Sequence, residues 1–326
     1  MPGALAFSTL TPALAPAWDE FVRLHDDGWF WHTSAWIEYQ RHYRAGNRDA
    51  SFAIVDEDTG SLLGVVPLMI SRATDGTAEF SYSGDPIATG LAHDPAVAEF
   101  GARHTLALVA EHDVRRARLA SSPFGSPAVL VLPECPPIET PYNAAHRIVD
   151  LRAEPCALWH GVRRSYRSLI HRAEGRYTVT VYAGDSAATV AGFAAYQALH
   201  RQLATLPRAG ETYRLQGEWL LDGRALLVIA EDASGVLGAA YWFVYKRAAY
   251  YASGAYAVDN LAHALVWRSL LALRELGVEQ SSLGWQGVAR AEKERNVEFQ
   301  KRGFGGADVP AQVIELTFTR AAKVGA

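Results

Sequence analysis

The chain has 326 residues, 49% apolar and 11% aromatic, which excludes global disorder and leaves room for two modules of ordinary size. Its formal charge is -4, from 31 Lys and Arg against 35 Asp and Glu, so a uniformly positive surface of the histone or polymerase kind is excluded. A local basic patch is still allowed. Almost all basic residues are Arg, which suits bidentate contacts to phosphate or carboxylate and is equally what an Arg-rich coding bias produces. Cys135 and Cys156 match neither a disulfide framework nor a zinc spacing, which points to a reducing, cytoplasmic setting. The apolar first sixteen residues lack a leading basic residue and make a poor signal peptide. The most apolar later helix is broken by Arg268 and Arg274, so no transmembrane segment is expected.

In chain order, the spacing predicts a short helix over 16–25 and a second over 35–43 capped by Ser34, with the aromatic run Trp29-Phe30-Trp31 between them. β-rich runs over 51–56 and 62–70 flank Asp58-Thr59-Gly60, a hairpin signature. A short strand over 79–82 ends at Ser83-Gly84-Asp85-Pro86, and Asp94-Pro95 opens a helix to residue 111. Strands at 118–120 and 147–151 flank the Pro-rich loop 127–141. A boundary near 153–155 gives modules 1–153 and 154–326, with the last strand allowed to return to the first.

The second module opens with one helix over 157–173, whose apolar positions Leu158, Val162, Tyr166, Leu169 and Ala173 recur three or four apart. A strand over 176–182 leads to a helix running from the Asp185-Ser186 cap through 206, ended by Pro207. Strands over 225–230 and 236–245 enclose a turn, and another covers 249–253. Asp259 or Asn260 caps an apolar helix over 261–276, which Gly277 stops. A short strand at 282–283, a helix over 291–300 and a strand over 312–318 close the chain. The order hairpin, strand, helix, strand occurs once in each half. The expected class is α/β or α+β, with two modules that are each a mixed, mostly antiparallel sheet flanked by helices.

Gly161-Val162-Arg163-Arg164-Ser165-Tyr166-Arg167, Tyr250-Tyr251-Ala252-Ser253-Gly254, His263-Ala264-Leu265-Val266-Trp267 and Lys301-Arg302-Gly303-Phe304-Gly305 follow one another along the second half. In that order they resemble segments of FemAB-like transferases, down to a late Lys-x-x-Phe-Gly. The resemblance implies tandem GNAT-like domains, the first on the acceptor side and the second on the donor and catalytic side. It implies transfer of an amino acid from aminoacyl-tRNA to an amine of a peptidoglycan precursor or of a peptide-like or nucleoside small molecule. No tightly bound cofactor and no DNA partner are expected. An acyl-CoA-dependent N-acyltransferase is the alternative enzyme. A non-catalytic tandem module that binds tRNA or a protein partner is the alternative of another class. The GNAT pyrophosphate loop has no good copy before residue 261, and Asp259 in that place suits a CoA pyrophosphate poorly.

An aminoacyl ester is already activated, so the reaction needs a held amine, a route for its proton and a stabilised oxyanion, without a covalent nucleophile. Lys301, bounded by Gly303, Gly305 and Gly306, is the first candidate for that positive charge; a solvated lysine before a turn is the plain alternative. Asp259 and His263 lie one helical turn apart and are candidates to share a proton. Arg163, Arg164 and Arg167, extended by Arg302, are candidates for donor phosphates, although a solvated helix face explains them too. Tyr250, Tyr251 and Tyr256 offer flat rings to a donor base, with Tyr250 and Tyr251 sent to opposite sheet faces by alternation. Through the resemblance, Phe304 and Gly305 complete the donor set. In the first module Trp31, Trp36, Tyr82 and Asp85 are acceptor-side candidates, against the alternatives of aromatic packing and turn capping. No histidine spacing suits a metal, so no metal site is expected. One spatial expectation joins these residues: the charge near 163 and Lys301 meet across a shared groove.

Overall fold

The computed structural model describes residues 4–125, 144–204, 208–289 and 291–318. The Pro-rich loop 127–141 with Cys135, and the helix end expected at 206–207, lie outside the described residues. The chain divides into two compact units, Met1–Ala144 with Ala311–Ala326, and Ala145–Pro310. The division falls ahead of the boundary expected near 153–155, because the strand Ala145–Asp150 pairs with strands of the second unit.

The first unit runs β1 (Leu5–Thr9), α1 (Ala15–Leu24), α2 (Ser34–Tyr43), β2 (Arg48–Asp49), β3 (Phe52–Asp56), β4 (Leu62–Val66), β5 (Met69–Arg72), β6 (Ala78–Phe80), β7 (Ile87–Ala88), β8 (Leu91–Ala92), α3 (Pro95–Glu111) and β9 (Arg116–Ala120). The second runs β10 (Ala145–Asp150), α4 (Pro155–Gly161), α5 (Arg164–Glu174), β11 (Thr178–Tyr182), α6 (Ala187–Leu203), α7 (Gly210–Leu221), β12 (Ala225–Asp232), β13 (Gly235–Tyr245), β14 (Ala248–Tyr256), α8 (Leu261–Glu275), β15 (Gln280–Gln286), α9 (Glu292–Arg302) and β16 (Ala307–Pro310). The last strand, β17 (Val313–Thr317), pairs with β9 of the first unit.

In the first unit β1, β3, β4 and β8 form one sheet, and β17, β9, β6, β5 and β2 form another, with β7 also on β9. The run expected as one strand over 62–70 is divided between them. Pro67 has no N–H for the ladder, so β4 stops at Val66 and β5 restarts at Met69 in the other sheet. Asp94 caps α3 as expected, its carboxylate accepting from the Val97 N–H at 2.9 Å. At α2 the cap is Thr33, which accepts from Trp36 N–H at 3.2 Å, while Ser34 is already helical and its hydroxyl donates to Asp19 at 2.6 Å.

The second unit is one sheet in the order β11-β12-β13-β14-β15-β10-β16. Along β12, Leu226, Val228 and Ala230 enter a core shared with α5 and α8, and the alternate residues Leu227 and Ile229 are buried on the opposite face. That opposite face carries α6 and α7, with Tyr196 of α6 stacked on Tyr241 of β13 at 5.6 Å. The single helix expected over 157–173 is two helices. Val162 and Arg163 are extended between them, at ψ 132° and 135°, because the Arg163 N–H leaves the helical ladder to donate to Gly303 O at 2.8 Å.

Two irregularities shape the sheet's centre. β14 and β15 are parallel neighbours only from Ala248 to Tyr250 against Gln280 to Ser282. Beyond that point β14 continues on β13, β15 continues on β10, and the two strands part. In β15 a bulge sets Leu283 and Gly284 together opposite Arg147, with Gly284 at φ 95°. No helix among the described residues is long and apolar enough to cross a membrane.

Candidate active site

Only four of the 31 basic residues are lysines, and Lys301 stands where the strands part. It lies in the last turn of α9, the helix packed beside β15. A Cβ at Gly284 would sit 2.8 Å from Lys301 Nζ and 3.4 Å from the Tyr250 hydroxyl, so the missing side chain is the seat of the ammonium. Any residue but glycine would also be strained at this φ. Lys301 forms no salt bridge with a described residue. Burial disfavours its charged form and brings its pKa down to about 8, with Glu298 on the same helix partly opposing the shift.

Sequence reasoning missed the floor of this seat. His146 on β10 is buried, its ring packs on Trp285 at 3.9 Å, and its Nδ1 lies 3.2 Å from Ser282 Oγ. Ser282 Oγ also accepts the Gly284 N–H at 3.1 Å. Burial, reinforced by the Lys301 charge, holds His146 neutral, its pKa lowered to about 3. A lone histidine on a strand, far from Lys301 in sequence, gives no local signal.

The Arg163 group lies on a different side of α9. The guanidinium stacks over the exposed ring of Phe299 at 4.0 Å and over Tyr166 at 4.9 Å, and donates to the Tyr166 hydroxyl at 3.2 Å. Phe299 and Lys301 are two helical residues apart, about 200° around the axis, so α9 itself lies between the two charges. They share a helix and not one open groove. Phe304 is buried against Tyr166 at 5.4 Å and His263 at 6.1 Å, which makes it core. Arg164 is exposed, Arg167 is half-buried, and Arg302 is tied to Asp308 at 3.2 Å.

The glycines after Lys301 are explained by packing against protein. A Cβ at Gly303 would lie 2.0 Å from the Tyr166 ring, and one at Gly306 would lie 2.1 Å from Ile148 O. Gly305, at φ 83°, faces the Gly161 backbone. The proposed sharing of a proton between Asp259 and His263 is not formed. Asp259 is exposed, and His263 Nδ1 is held by Asn260 O at 2.9 Å. Neither Asp259 nor Asn260 supplies a side-chain cap to α8.

Tyr250 and Tyr251 go to opposite faces. Tyr250 joins Lys301, whereas Tyr251 packs on Trp242 at 5.0 Å against the α5–α8 core and shares a 2.7 Å hydroxyl bond with Tyr256. Burial raises both phenols, Tyr251 to about 12, and both rings are half-buried against the core. In the first unit Trp31 and Tyr82 are buried, with the Tyr82 hydroxyl directed at Trp31 O at 3.4 Å. Trp36 is half-buried, stacked on Tyr39 at 5.2 Å and edge-on to Tyr82 at 5.8 Å. Trp31 and Tyr82 are therefore packing, not a wall for an acceptor. Asp85 is exposed, and its backbone closes the turn with Tyr82.

Among the described residues no group of three or more His, Cys, Asp and Glu side chains could hold a metal ion. The chain matches no protein-family model, and no curated protein matches it. Solved structures do. FemX is similar with TM-score 0.64 at 13% identity, covering 96% of this chain and 97% of its own. L-PGS from Bacillus licheniformis is similar with TM-score 0.59 at 10% identity, covering 97% and 94%. A tandem GNAT protein from the clavulanic acid biosynthesis pathway is similar with TM-score 0.52 at 13% identity, covering 96% and 98%. Over nearly its whole length, this chain shares the fold of a tandem GNAT protein and is similar to FemX.

Proposed function

We propose that the chain is an aminoacyltransferase that takes its amino acid from aminoacyl-tRNA and forms an amide on an amine of a peptide-like, nucleoside or cell-wall-precursor acceptor. The observation that carries this reading is Lys301 Nζ at the point where β14 and β15 part. The ammonium has no carboxylate partner in a salt bridge among the described residues, so its charge is available to a developing oxyanion. The acceptor nitrogen attacks the ester carbonyl, the negative charge passes to the carbonyl oxygen beside Lys301, and the carbon–ribose oxygen bond then breaks. The proton lost by the amine ends on the departing ribose hydroxyl. Similarity to FemX and to L-PGS in fold supports an aminoacyl donor, as does the exposed Asp259 ahead of α8, which opposes a CoA pyrophosphate there. The second unit would carry donor and chemistry, and the first the acceptor, for which Asp85 is the remaining exposed candidate among the four residues considered.

Incubation with labelled aminoacyl-tRNAs and a panel of amines, read by mass spectrometry, tests the proposal. A labelled amide that disappears after ribonuclease treatment is expected. Turnover with acyl-CoA that is indifferent to ribonuclease would replace the donor, and binding without turnover across both donor classes would replace the enzyme with a binding module.

A further inference from the structure

The floor beneath Lys301 is more elaborate than a lysine seat requires. Three strands contribute to it: β10 supplies His146, β14 supplies Tyr250, and β15 supplies Ser282, Gly284 and Trp285. The Gly284 N–H donates to Ser282 Oγ, and the same oxygen shares a hydrogen bond with His146 Nδ1. The imidazole is tethered at Nδ1 by the hydroxyl, with its ring packed on Trp285. The bulge at Leu283–Gly284 is the feature this chain of bonds holds in place. Without it Gly284 would regain an ordinary strand geometry, and the space that Nζ occupies would close.

We infer that His146 and Ser282 are positioning residues for Lys301: together they pin the Gly284 bulge and keep water away from the ammonium, so that Nζ stays in the gap between β14 and β15. Neither residue touches the reacting atoms in this account. His146 contributes a neutral, dry surface where a second cation would repel the lysine. Among the described residues, the titratable groups placed near Lys301 are Glu298 on its own helix, Tyr250 on β14 and His146 on β10, while β15 contributes Ser282, Gly284 and Trp285 to the floor. The lowered pKa of Lys301 agrees with this dry seat.

The inference deepens the transfer reading, but its test needs neither donor nor acceptor. Because the chain has only four lysines, labelling with lysine carrying carbon-13 at Cε gives a spectrum simple enough to titrate residue by residue. Loss of one signal in Lys301→Arg assigns Lys301. In the wild type that signal should titrate near about 8, below the other lysines. His146→Ala and Ser282→Ala admit water and should each raise the midpoint by about one pH unit or more, toward the ordinary lysine value. His146→Asn keeps a polar group able to donate to or accept from the Ser282 hydroxyl, and should leave the midpoint within about 0.3 units of wild type. Ser282→Ala is the smaller change, so it carries the test if His146→Ala does not fold. An unmoved midpoint in folded Ser282→Ala, or a His146→Asn midpoint displaced as far as that of Ser282→Ala, would overturn the inference. Loss of the transfer reading with these titrations intact would leave it standing.

Discussion

Two cations flank the same helix and are treated in opposite ways. Arg163 is fully furnished: two aromatic faces, a phenolic acceptor, and a backbone N–H spent on Gly303. Lys301, on the other side of α9, has a glycine, a neutral imidazole and a hydroxyl around it, and no salt bridge among the described residues. A charge satisfied by its own fold stabilises that fold. A charge half-buried without a salt bridge costs stability, and its retention is explained by what it does to a ligand. The contrast reverses the weight the sequence motif puts on its two basic ends: Arg163 is a joint, and Lys301 is the candidate reagent.

Substitutions can break this contrast or sharpen it. The largest stability effect belongs on the Arg163 side, at Gly303→Ala, whose new Cβ would collide with the Tyr166 ring. Denaturant unfolding should show a loss of roughly 2–4 kcal/mol; a loss under about 0.5 kcal/mol would mean the α5–α9 joint is loose. Next comes the pH dependence of the Lys301 side. A cation whose pKa is lowered to about 8 loses its charge above that pH. With an acceptor whose amine stays neutral throughout, single-turnover transfer should therefore fall about tenfold between pH 8 and 9.5. A rate that holds constant or rises over this range would show that the ammonium is not the working form. Arg163→Ala should cost about 1 kcal/mol of stability, from the lost stacking and hydroxyl contacts, and change turnover only a few-fold. A hundredfold loss of turnover there would return Arg163 to the chemistry. Smallest of all, Asp259→Asn should stay within about twofold of wild type in turnover, since no bond links it to His263.

What the sequence made legible was mostly local. The Asp94 and Ser186 caps and the β12–β13 hairpin are signalled by residues adjacent to the elements they define, and all are present. The tandem arrangement was legible from the element order repeated in each half, and its GNAT character from ordered motifs that resemble those of FemAB-like proteins. Elements decided by distant partners were not. The break between α4 and α5 depends on a carbonyl some 140 residues later, at Gly303, while the apolar spacing runs through it unbroken. α7 carries Gly210 and Gly217, poor helix formers, and is held by burial of Tyr213, Gln216, Trp219 and Leu220. At the site, Lys301 was readable, but the purpose of its glycines was not: Gly303, Gly305 and Gly306 make room for protein, and the glycine that makes room for the ammonium is Gly284. Trp31 and Tyr82 show the same limit, since an aromatic side chain reads alike from sequence whether it faces a ligand or a core.

The most direct test is Lys301→Ala, assayed for transfer from aminoacyl-tRNA and for thermal unfolding on one preparation. Turnover should fall by roughly 10²–10³-fold, with a melting temperature equal to or above that of wild type, because a half-buried charge without a salt bridge among the described residues has been removed. Turnover unchanged in a protein that still folds would contradict the role of Lys301.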